Sequence, residues 1–295
     1  MSWTLEGGTA LVTGATAGIG AAMVPLLVAR GMKVVVTGRR ADRLEPLVKA
    51  HPDSVLAAPA DLAKADERDR MLEVAEKRFG PITLLVNNAG MGQRGPVELI
   101  REEDARHQME VNLFSQIELT RKVLPKMRAA GRGRVLMVSS VMGRIAVPLS
   151  GWYCASKHAL EALSDALRYE LAPFGVDIVL IEPGPVITEF QDHAMKTLEH
   201  LEGDRAAYEA MIESVHAGRK SSMKGWITSE DCARQMVDIA AREHPRARYP
   251  ITRLSWAMLF MRWALPYSIF EKIIRRMLKV PPYGALVSAK PPRVG

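Results

Sequence analysis

The 295-residue sequence contains only two cysteines, Cys154 and Cys232, and it has neither a CxxC motif nor a histidine at metal-ligand spacing from them. A disulfide framework and a zinc site are therefore not expected, and no metal is predicted. The first eight residues, MSWTLEGG, lack the basic and apolar regions of a secretory signal peptide. These absences lead us to expect a cytoplasmic protein in a reducing compartment.

The sequence also lacks the motifs of nucleic-acid-binding proteins, although its net charge is +7. Zinc knuckles, the aromatic runs of RNA-binding motifs and helix-turn-helix patterns are absent. Much of the basic excess lies between residues 242 and 279, where nine basic side chains are opposed by only two acidic ones. We therefore expect no nucleic-acid partner. The composition, 48% hydrophobic and 25% charged, is that of an ordinary globular protein.

Short apolar runs alternate with helical patterns over about the first 250 residues. Seven strands are predicted, at residues 9–13, 33–37, 54–60, 82–86, 134–139, 176–181 and 247–251. Helices are predicted at residues 19–30, 40–50, 64–79, 101–128, 151–171 and 229–242. Strands that are apolar throughout and joined by helices indicate an α/β fold, a doubly wound parallel sheet with helices on both faces.

Two segments depart from this alternation. Within a main domain of residues 1–251, the polar stretch 186–225 is predicted to be a substrate lid. Residues 252–295 form an apolar and basic helical extension that Pro266 divides, and its charges argue against a transmembrane span. The extension could pack on the core of the chain, contact a partner subunit, or contact a membrane peripherally through residues 252–280. Packing or a dimer contact is favoured over membrane contact.

A glycine-rich segment, TGATAGIG, joins the first predicted strand to the first helix between Thr13 and Gly20. Its glycines permit a tight turn and a close approach of the backbone to a ligand. The N-terminus of the following helix can then bind a pyrophosphate through its free N–H groups and its dipole. A plain glycine-rich turn is the alternative, but the strand before it and the helix after it favour dinucleotide binding.

The end of the second predicted strand indicates which dinucleotide is bound. An acidic residue there would bind the ribose hydroxyls of NAD, whereas the sequence has Gly38, Arg39 and Arg40. Arginine holds a phosphate through a fixed fork of donors. NADP(H) is therefore preferred over NAD(H), with Arg39 as the main contact and Arg40 next. A solvated basic pair in a loop is the alternative.

Polar residues also follow the third and fourth predicted strands. Asp61, followed by Leu62, could accept a hydrogen bond from adenine, although an N-cap for the next helix is nearly as good an interpretation. Asn88, Ala89 and Gly90 belong to the run NNAG, where small residues let the backbone approach the cofactor. Asparagine side chains in such a run can hold neighbouring loops in place.

Tyr153 and Lys157 are spaced by four residues near the start of a predicted helix, so both side chains project from one face. A phenol titrates near 10, and a nearby ammonium group lowers that pKa enough for acid–base catalysis. An exposed Tyr and Lys on an amphipathic helix is the alternative.

Ser140, with Ser139 as the rival, could orient a substrate oxygen or simply cap a strand end. Asn112 lies inside a predicted helix, where asparagine is mildly unfavourable. A role for its side chain in holding a water molecule would explain its presence there.

In this order and spacing, the motifs TGxxxGIG, NNAG, Asn112, Ser140, YxxxK and Pro183–Gly184 resemble those of the short-chain dehydrogenase/reductases over about residues 5–250. The resemblance implies a Rossmann-type fold and a catalytic tetrad of Asn112, Ser140, Tyr153 and Lys157. Tyr153 would be the general acid/base, Lys157 would also bind the nicotinamide ribose, Ser140 would steady the substrate, and Asn112 would support a proton-relay water.

The motifs and the resemblance together define the expected cofactor contacts. These are Gly14, Thr16, Ala17, Gly18, Ile19, Gly20, Arg39, Arg40, Asp61, Leu62, Asn88, Ala89, Gly90, Tyr153, Lys157, Pro183, Gly184, Val186 and Thr188. One NADP marker of the family, a basic residue before Gly18, is absent because Ala17 stands there, so the cofactor preference rests on Arg39.

The stretch from Tyr153 to Ser164 looks like that of the steroid and retinol dehydrogenase branch. The resemblance therefore implies an NADP(H)-dependent oxidoreductase that interconverts a ketone or aldehyde and an alcohol on a lipophilic substrate such as a steroid, retinoid or long-chain carbonyl. It also implies a homodimer or homotetramer formed through the long helices. The alternative is a catalytically idle NADP-binding protein that senses redox state or acts as a scaffold.

Overall fold

A seven-stranded sheet forms the centre of the chain in a computed structural model that describes residues 3–222 and 226–281. The strands are β1 (Thr9–Thr13), β2 (Lys33–Thr37), β3 (Val55–Ala57), β4 (Leu84–Asn87), β5 (Gly133–Val138), β6 (Val176–Glu182) and β7 (Arg248–Pro250). They are ordered β3-β2-β1-β4-β5-β6-β7, and all neighbours are parallel. The Rossmann-type prediction is confirmed. Its ligand crevice lies beyond the carboxyl ends of β1 and β4, where the order reverses.

Helices cover both faces of the sheet. They are α1 (Gly18–Ala29), α2 (Glu45–Ala50), α3 (Ala65–Phe79), α4 (Glu102–Met109), α5 (Ser115–Ala129), α6 (Gly151–Leu171), α7 (Glu189–Lys196), α8 (Glu209–Ser222), α9 (Ser229–Ala241), α10 (Arg253–Ala264) and α11 (Tyr267–Met277). On one face, α1 and α9 pack on the side chains of Val34 and Val36. On the other, α3, α5 and α6 pack on the face that carries Val35. Because successive strand residues point to opposite faces and both faces are covered, the strands in the middle of the sheet are largely apolar.

Several predicted boundaries differ from the observed ones for local reasons. The predicted helix 101–128 is interrupted between α4 and α5 by a π-helical turn, Glu110–Phe114. The predicted helix 40–50 begins with a 3-10 turn, Ala41–Arg43, before α2. The predicted strand 54–60 shortens to β3, although the backbone N–H groups of Ala58 and Ala60 still donate to the carbonyl oxygens of Val36 and Gly38. The predicted lid contains α7 and α8, and its residues 223–225 lie outside the described residues.

The C-terminal extension packs on the chain's own core as far as it is described. Phe270 and Ile274 of α11 are buried in a cluster with Val141 and Ile145, which lie shortly after β5. Pro266 separates α10 from α11, as predicted. Residues 282–295 of the extension lie outside the described residues. Among the described helices, none combines the length and apolarity needed to cross a bilayer.

Candidate active site

The glycine-rich turn between β1 and α1 has a backbone that requires glycine. Gly14 and Gly18 have φ values of +67° and +58°, which other residues rarely adopt. A Cβ atom on Gly20 would lie 2.6 Å from the carbonyl oxygen of Gly14. The N-cap of α1, Ala17, makes no side-chain hydrogen bond to the first turn. The N-terminal N–H groups of α1 are therefore suited to an anionic ligand such as a pyrophosphate.

The NNAG segment after β4 lies directly against this turn. Asn88 Nδ2 donates a hydrogen bond of 2.9 Å to the carbonyl oxygen of Thr13. The backbone N–H groups of Asn88 and Ala89 both donate to Thr13 Oγ1, each at 2.9 Å. The Cα atom of Ala89 lies 2.9 Å from the position of a Cβ on Gly14. Asn88 thus holds the two loops together, and small residues let them meet at the crevice.

The two arginines after β2 have different surroundings. Arg40 donates to Thr16 Oγ1 at 3.0 Å and pairs with Glu189 at 3.1 Å. Arg43 also pairs with Glu189, at 2.6 Å. The hydrogen bond from Arg43, followed by that from Arg40, lowers the pKa of Glu189. Arg39 is exposed, and within the described ranges its guanidinium has no hydrogen-bond or ion-pair partner. Sequence reasoning missed Glu189, which no motif marks.

Asp61 and Leu62 lie between β3 and α3. Asp61 Oδ1 accepts a hydrogen bond of 3.1 Å from the backbone of Ala63, which is a local turn before the helix. The N-cap of α3 is Lys64, so Asp61 does not cap that helix directly. Leu62 is buried in the core.

The residues after β6 lead from the sheet to the lid. Pro183 and Gly184 directly follow β6, and Val186 is buried. The methyl group of Thr188 lies 3.1 Å from the position of a Cβ on Gly18. The start of the lid therefore lies against the glycine-rich turn. The predicted cofactor residues of these two segments line one crevice.

Lys157 is buried on α6, one turn after Tyr153, with 4% of its surface exposed. Its Nζ donates to the carbonyl oxygen of Val138, at the end of β5, at 2.8 Å. Burial lowers the pKa of Lys157 to about 8, and the nearby Glu161 carboxylate acts in the opposite direction. A Cβ on Gly90 would lie 3.9 Å from Nζ. The ammonium group is thus held between the ends of β4 and β5.

The Tyr153 side chain is partly buried at the same end of the sheet. Burial raises its pKa to about 12, while a hydrogen bond with Ser140 and the positive charge of Arg94 act to lower it. Ser140 Oγ also accepts a hydrogen bond of 3.1 Å from the backbone of Met142, so the capping alternative holds as well. The hydroxyl of Ser139 is buried and has no hydrogen-bond partner among the described residues. Ser140 rather than Ser139 reaches Tyr153.

Asn112 lies in the π-helical turn between α4 and α5 and is fully buried. Its Nδ2 donates to the carbonyl oxygen of Met91 and its Oδ1 accepts from the N–H of Met91, both at 2.8 Å. Nδ2 also lies 3.1 Å from Ser156 Oγ on α6. Single π-helical turns often occur at functional sites. Here the turn places the amide between the loop after β4 and the helix that carries Tyr153.

The lid contributes an aromatic residue that sequence reasoning missed. The ring of Phe190, on α7, lies 5.8 Å from that of Tyr153, between ring centroids. A Cβ on Gly92 would lie 2.9 Å from the Phe190 ring, so the loop after β4 must stay small there. Helix α7 therefore lies directly beside the Tyr153 phenol.

A buried carboxylate pair, also missed, lies behind Lys157. Glu161 and Glu182 are 4% and 1% exposed, and Arg248 Nε approaches them at 3.1 and 3.5 Å respectively. Burial, and then the charge of Glu161, raises the pKa of Glu182 to about 7, against the charges of Arg144 and Arg248. Glu161 follows Lys157 by four residues and so shares the face of α6 that carries Tyr153 and Lys157. This spacing is the one sequence signal from which Glu161 could have been predicted.

The comparisons with known proteins agree with this architecture. The family model for short chain dehydrogenases matches residues 8–199, which is more than half of the chain. The chain belongs to the short-chain dehydrogenase/reductase family, and it is an oxidoreductase with a fold that binds NAD(P).

Similar proteins cover almost the whole chain. The uncharacterized oxidoreductase YusZ of Bacillus subtilis is 33% identical, over 91% of this chain and 98% of its own length. An NADPH-dependent 3-dehydrocapnine reductase of Ornithobacterium rhinotracheale is 30% identical, over 92% of this chain and 97% of its own. The crystal structure of a short-chain dehydrogenase from Streptomyces avermitilis superposes with a TM-score of 0.75 at 29% identity, covering 91% of this chain and 97% of that one.

Proposed function

We propose that the chain is an NADP(H)-dependent oxidoreductase that interconverts a ketone or aldehyde and an alcohol on a lipophilic substrate. The observation that carries this proposal is the arrangement of Tyr153 at the carboxyl edge of the sheet. Ser140 lies near enough to the phenol to lower the pKa of Tyr153, and Lys157 is anchored one helical turn away on the same face. This is the arrangement that proton transfer to or from a substrate oxygen requires.

The residues of the crevice fit an NADP(H) molecule. The N–H groups at the start of α1 would bind its pyrophosphate, and the glycines at 14, 18 and 20 leave room for the approach. Arg39, with its exposed guanidinium, would bind the 2′-phosphate, and Arg40 would support it from beside Thr16. The NADPH dependence of the Ornithobacterium relative agrees with this preference.

Each catalytic residue has a defined part in the reduction. NADPH, when bound in the crevice, would supply the hydride that the carbonyl carbon receives. Tyr153, whose raised pKa keeps the phenol protonated at neutral pH, donates its proton to the carbonyl oxygen. Ser140 orients that oxygen, and the Lys157 ammonium stabilises the phenolate that forms. Asn112 would hold a water that returns a proton through Lys157, and in the oxidation direction the proton transfers reverse.

A lipophilic substrate is supported by the apolar side of the site. The Phe190 ring faces Tyr153, and Ala194 of the same helix lies near Gly92. A carbonyl presented to Tyr153 would therefore have apolar groups on its lid side. A steroid, a retinoid or a long-chain carbonyl compound would suit this surface.

A homodimer or homotetramer is proposed on the faces of α5 and α6. Phe114 precedes α5, and Leu163 and Tyr169 lie on α6, with 54%, 42% and 75% of their surfaces exposed. Exposed apolar side chains of this size on long helices suit an interface between copies of the chain. The cytoplasm is supported as the location by the two free, buried cysteines.

A panel of sterols, retinoids, long-chain ketones and quinones, with NADPH oxidation followed by absorbance, tests the proposal. We expect turnover with at least one lipophilic carbonyl compound and faster turnover with NADPH than with NADH. Tight NADPH binding without turnover on any of them would instead favour the idle sensor or scaffold. The presence of all four tetrad residues argues against that alternative.

A further inference from the structure

Helix α10 exposes a row of aromatic side chains to solvent. Trp256, Phe260 and Trp263 are 55%, 62% and 82% exposed, and their spacing of four and three residues places them on one helix face. The rings of Phe260 and Trp263 lie 5.9 Å apart, between centroids. Arg253, also exposed, lies three residues before Trp256 and shares the face. Contiguous apolar surface of this kind marks an interaction site rather than ordinary protein surface.

The same pair of helices carries a strong positive charge. Between residues 252 and 281 there are six basic side chains and one acidic side chain, Glu271. On α11, Lys272 and Arg276 are exposed and share a face with Ile269, which is 46% exposed. The surface therefore combines protruding apolar groups with cations, and its partner must tolerate both.

A groove beside α11 repeats this combination. It has a volume of about 290 Å³ and lies between α11 and the segment 144–148. Arg144, Arg262 and Arg275 line it together with the apolar side chains of Ile145 and Phe270. Glu271 also lines it and pairs with Arg275 at 3.7 Å, so the three arginines outnumber this carboxylate. An anionic group with an attached apolar chain has the chemistry that this lining recognises.

We infer that α10 and α11 dock on the surface of a membrane that contains anionic lipids. Tryptophan favours the membrane–water interface, and arginine and lysine bind anionic headgroups while their stems stay among apolar groups. Helices of 12 and 11 residues are too short to span a bilayer, so they lie in its plane. A two-fold contact of this surface with a second copy would bring its cations against one another, so a second copy is a poor occupant.

Docking in this way positions the active site relative to the lipid. Phe270 and Ile274 of α11 pack on Val141 and Ile145, and Val141 directly follows Ser140. Helix α11 would therefore lie between the membrane and the loop that follows Ser140. The docking itself does not depend on the proposed activity, and its test needs no substrate.

Vesicle flotation of the full NADPH-loaded chain tests the inference. Vesicles of phosphatidylcholine mixed with phosphatidylglycerol should carry the protein to the top of the gradient, and added sodium chloride should weaken binding. Vesicles of phosphatidylcholine alone should carry much less. The double variant that carries Trp256→Ser and Trp263→Ser should bind the anionic vesicles about tenfold more weakly, because each substitution removes a side chain that anchors the helix at the membrane interface. Lys272→Glu should weaken binding by about five- to tenfold.

Matched controls separate docking from general effects. Phe174→Ser removes an aromatic side chain that is 45% exposed outside these helices, and Lys77→Glu reverses an exposed charge on α3. Both should float like the wild type, and all variants should keep their NADPH affinity, which shows that they fold. Failure of the wild type to float with anionic vesicles would overturn the inference, as would equal flotation of the tryptophan variant. Self-association that Trp263→Ser abolishes, without flotation, would assign the surface to a second copy instead.

Discussion

Arg39 and Arg40 are adjacent in sequence, but within the described part of the chain only Arg40 is engaged by other side chains. We expect Arg39→Ala to raise the KM for NADPH by about 10- to 100-fold, because charge-assisted hydrogen bonds to the 2′-phosphate are lost. The KM for NADH should change by less than about twofold, since NADH has no such phosphate. Steady-state kinetics with both cofactors measure this, with Lys77→Ala as the control for an exposed cation. Equal effects on NADPH and NADH would rule out the phosphate contact.

Glu182 makes the stability of the fold depend on pH. Its pKa is raised to about 7 in the folded chain, above the value near 4 of an unfolded glutamate. The folded state is therefore favoured while the carboxyl is protonated, and this contribution is lost as the pH rises from about 4 through 7. Arg144, Arg248 and Glu161 are the charged groups that face it.

Glu182→Gln should remove this dependence. Between pH 5 and pH 8 the variant should gain stability relative to the wild type, by up to about 3 kcal/mol, because it has no charge to bury. Thermal unfolding at the two pH values measures this, and Glu73→Gln, at an exposed position on α3, should show no such trend. A difference between variant and wild type that stays constant from pH 5 to pH 8 would contradict the assignment.

At the scale of elements, α7 connects the lid to the cofactor crevice. Its first residue, Glu189, pairs with Arg40 and Arg43 and so places a negative charge where a 2′-phosphate is expected. We expect Glu189→Gln to lower the KM for NADPH by about two- to threefold, because an exposed charge contributes only modestly. The KM for NADH should stay unchanged, and raised salt should reduce the difference. An increase in the KM for NADPH would show that Glu189 orders the arginines instead of competing for them.

The elements were predictable to different degrees from sequence. Most strands were predicted because their side chains are buried on both faces, which produces continuous apolar runs. The edge strand β7 is only half-buried and is not such a run. The π-helical turn around Asn112 was not, because it has the same apolar periodicity as the helices on either side. An asparagine inside a predicted helix was the signal, and it singled out Asn112 as a candidate without indicating the π-helical backbone around it.

At the scale of the whole molecule, contacts between distant segments escaped prediction. Arg40 and Glu189 are 149 residues apart, and Glu161 and Arg248 are 87 apart. Periodicity shows which side of an element is buried, but it does not identify the partner across the interface. The motif residues were found because the carboxyl ends of parallel strands meet at one edge of the sheet. The packing of Phe190 on Tyr153 depends on where the lid lies relative to α6, and no local sequence pattern predicts that position.

Tyr153 is proposed as the general acid, and the Tyr153→Phe variant tests this role most directly when its NADPH affinity and its turnover are both measured. The variant lacks only the phenolic oxygen, so it should bind NADPH with the affinity of the wild type, as measured by fluorescence titration. Its turnover of the best carbonyl substrate from the panel should fall by at least about a hundredfold, because general acid catalysis typically contributes that much. Unchanged turnover with unchanged NADPH binding would contradict the account.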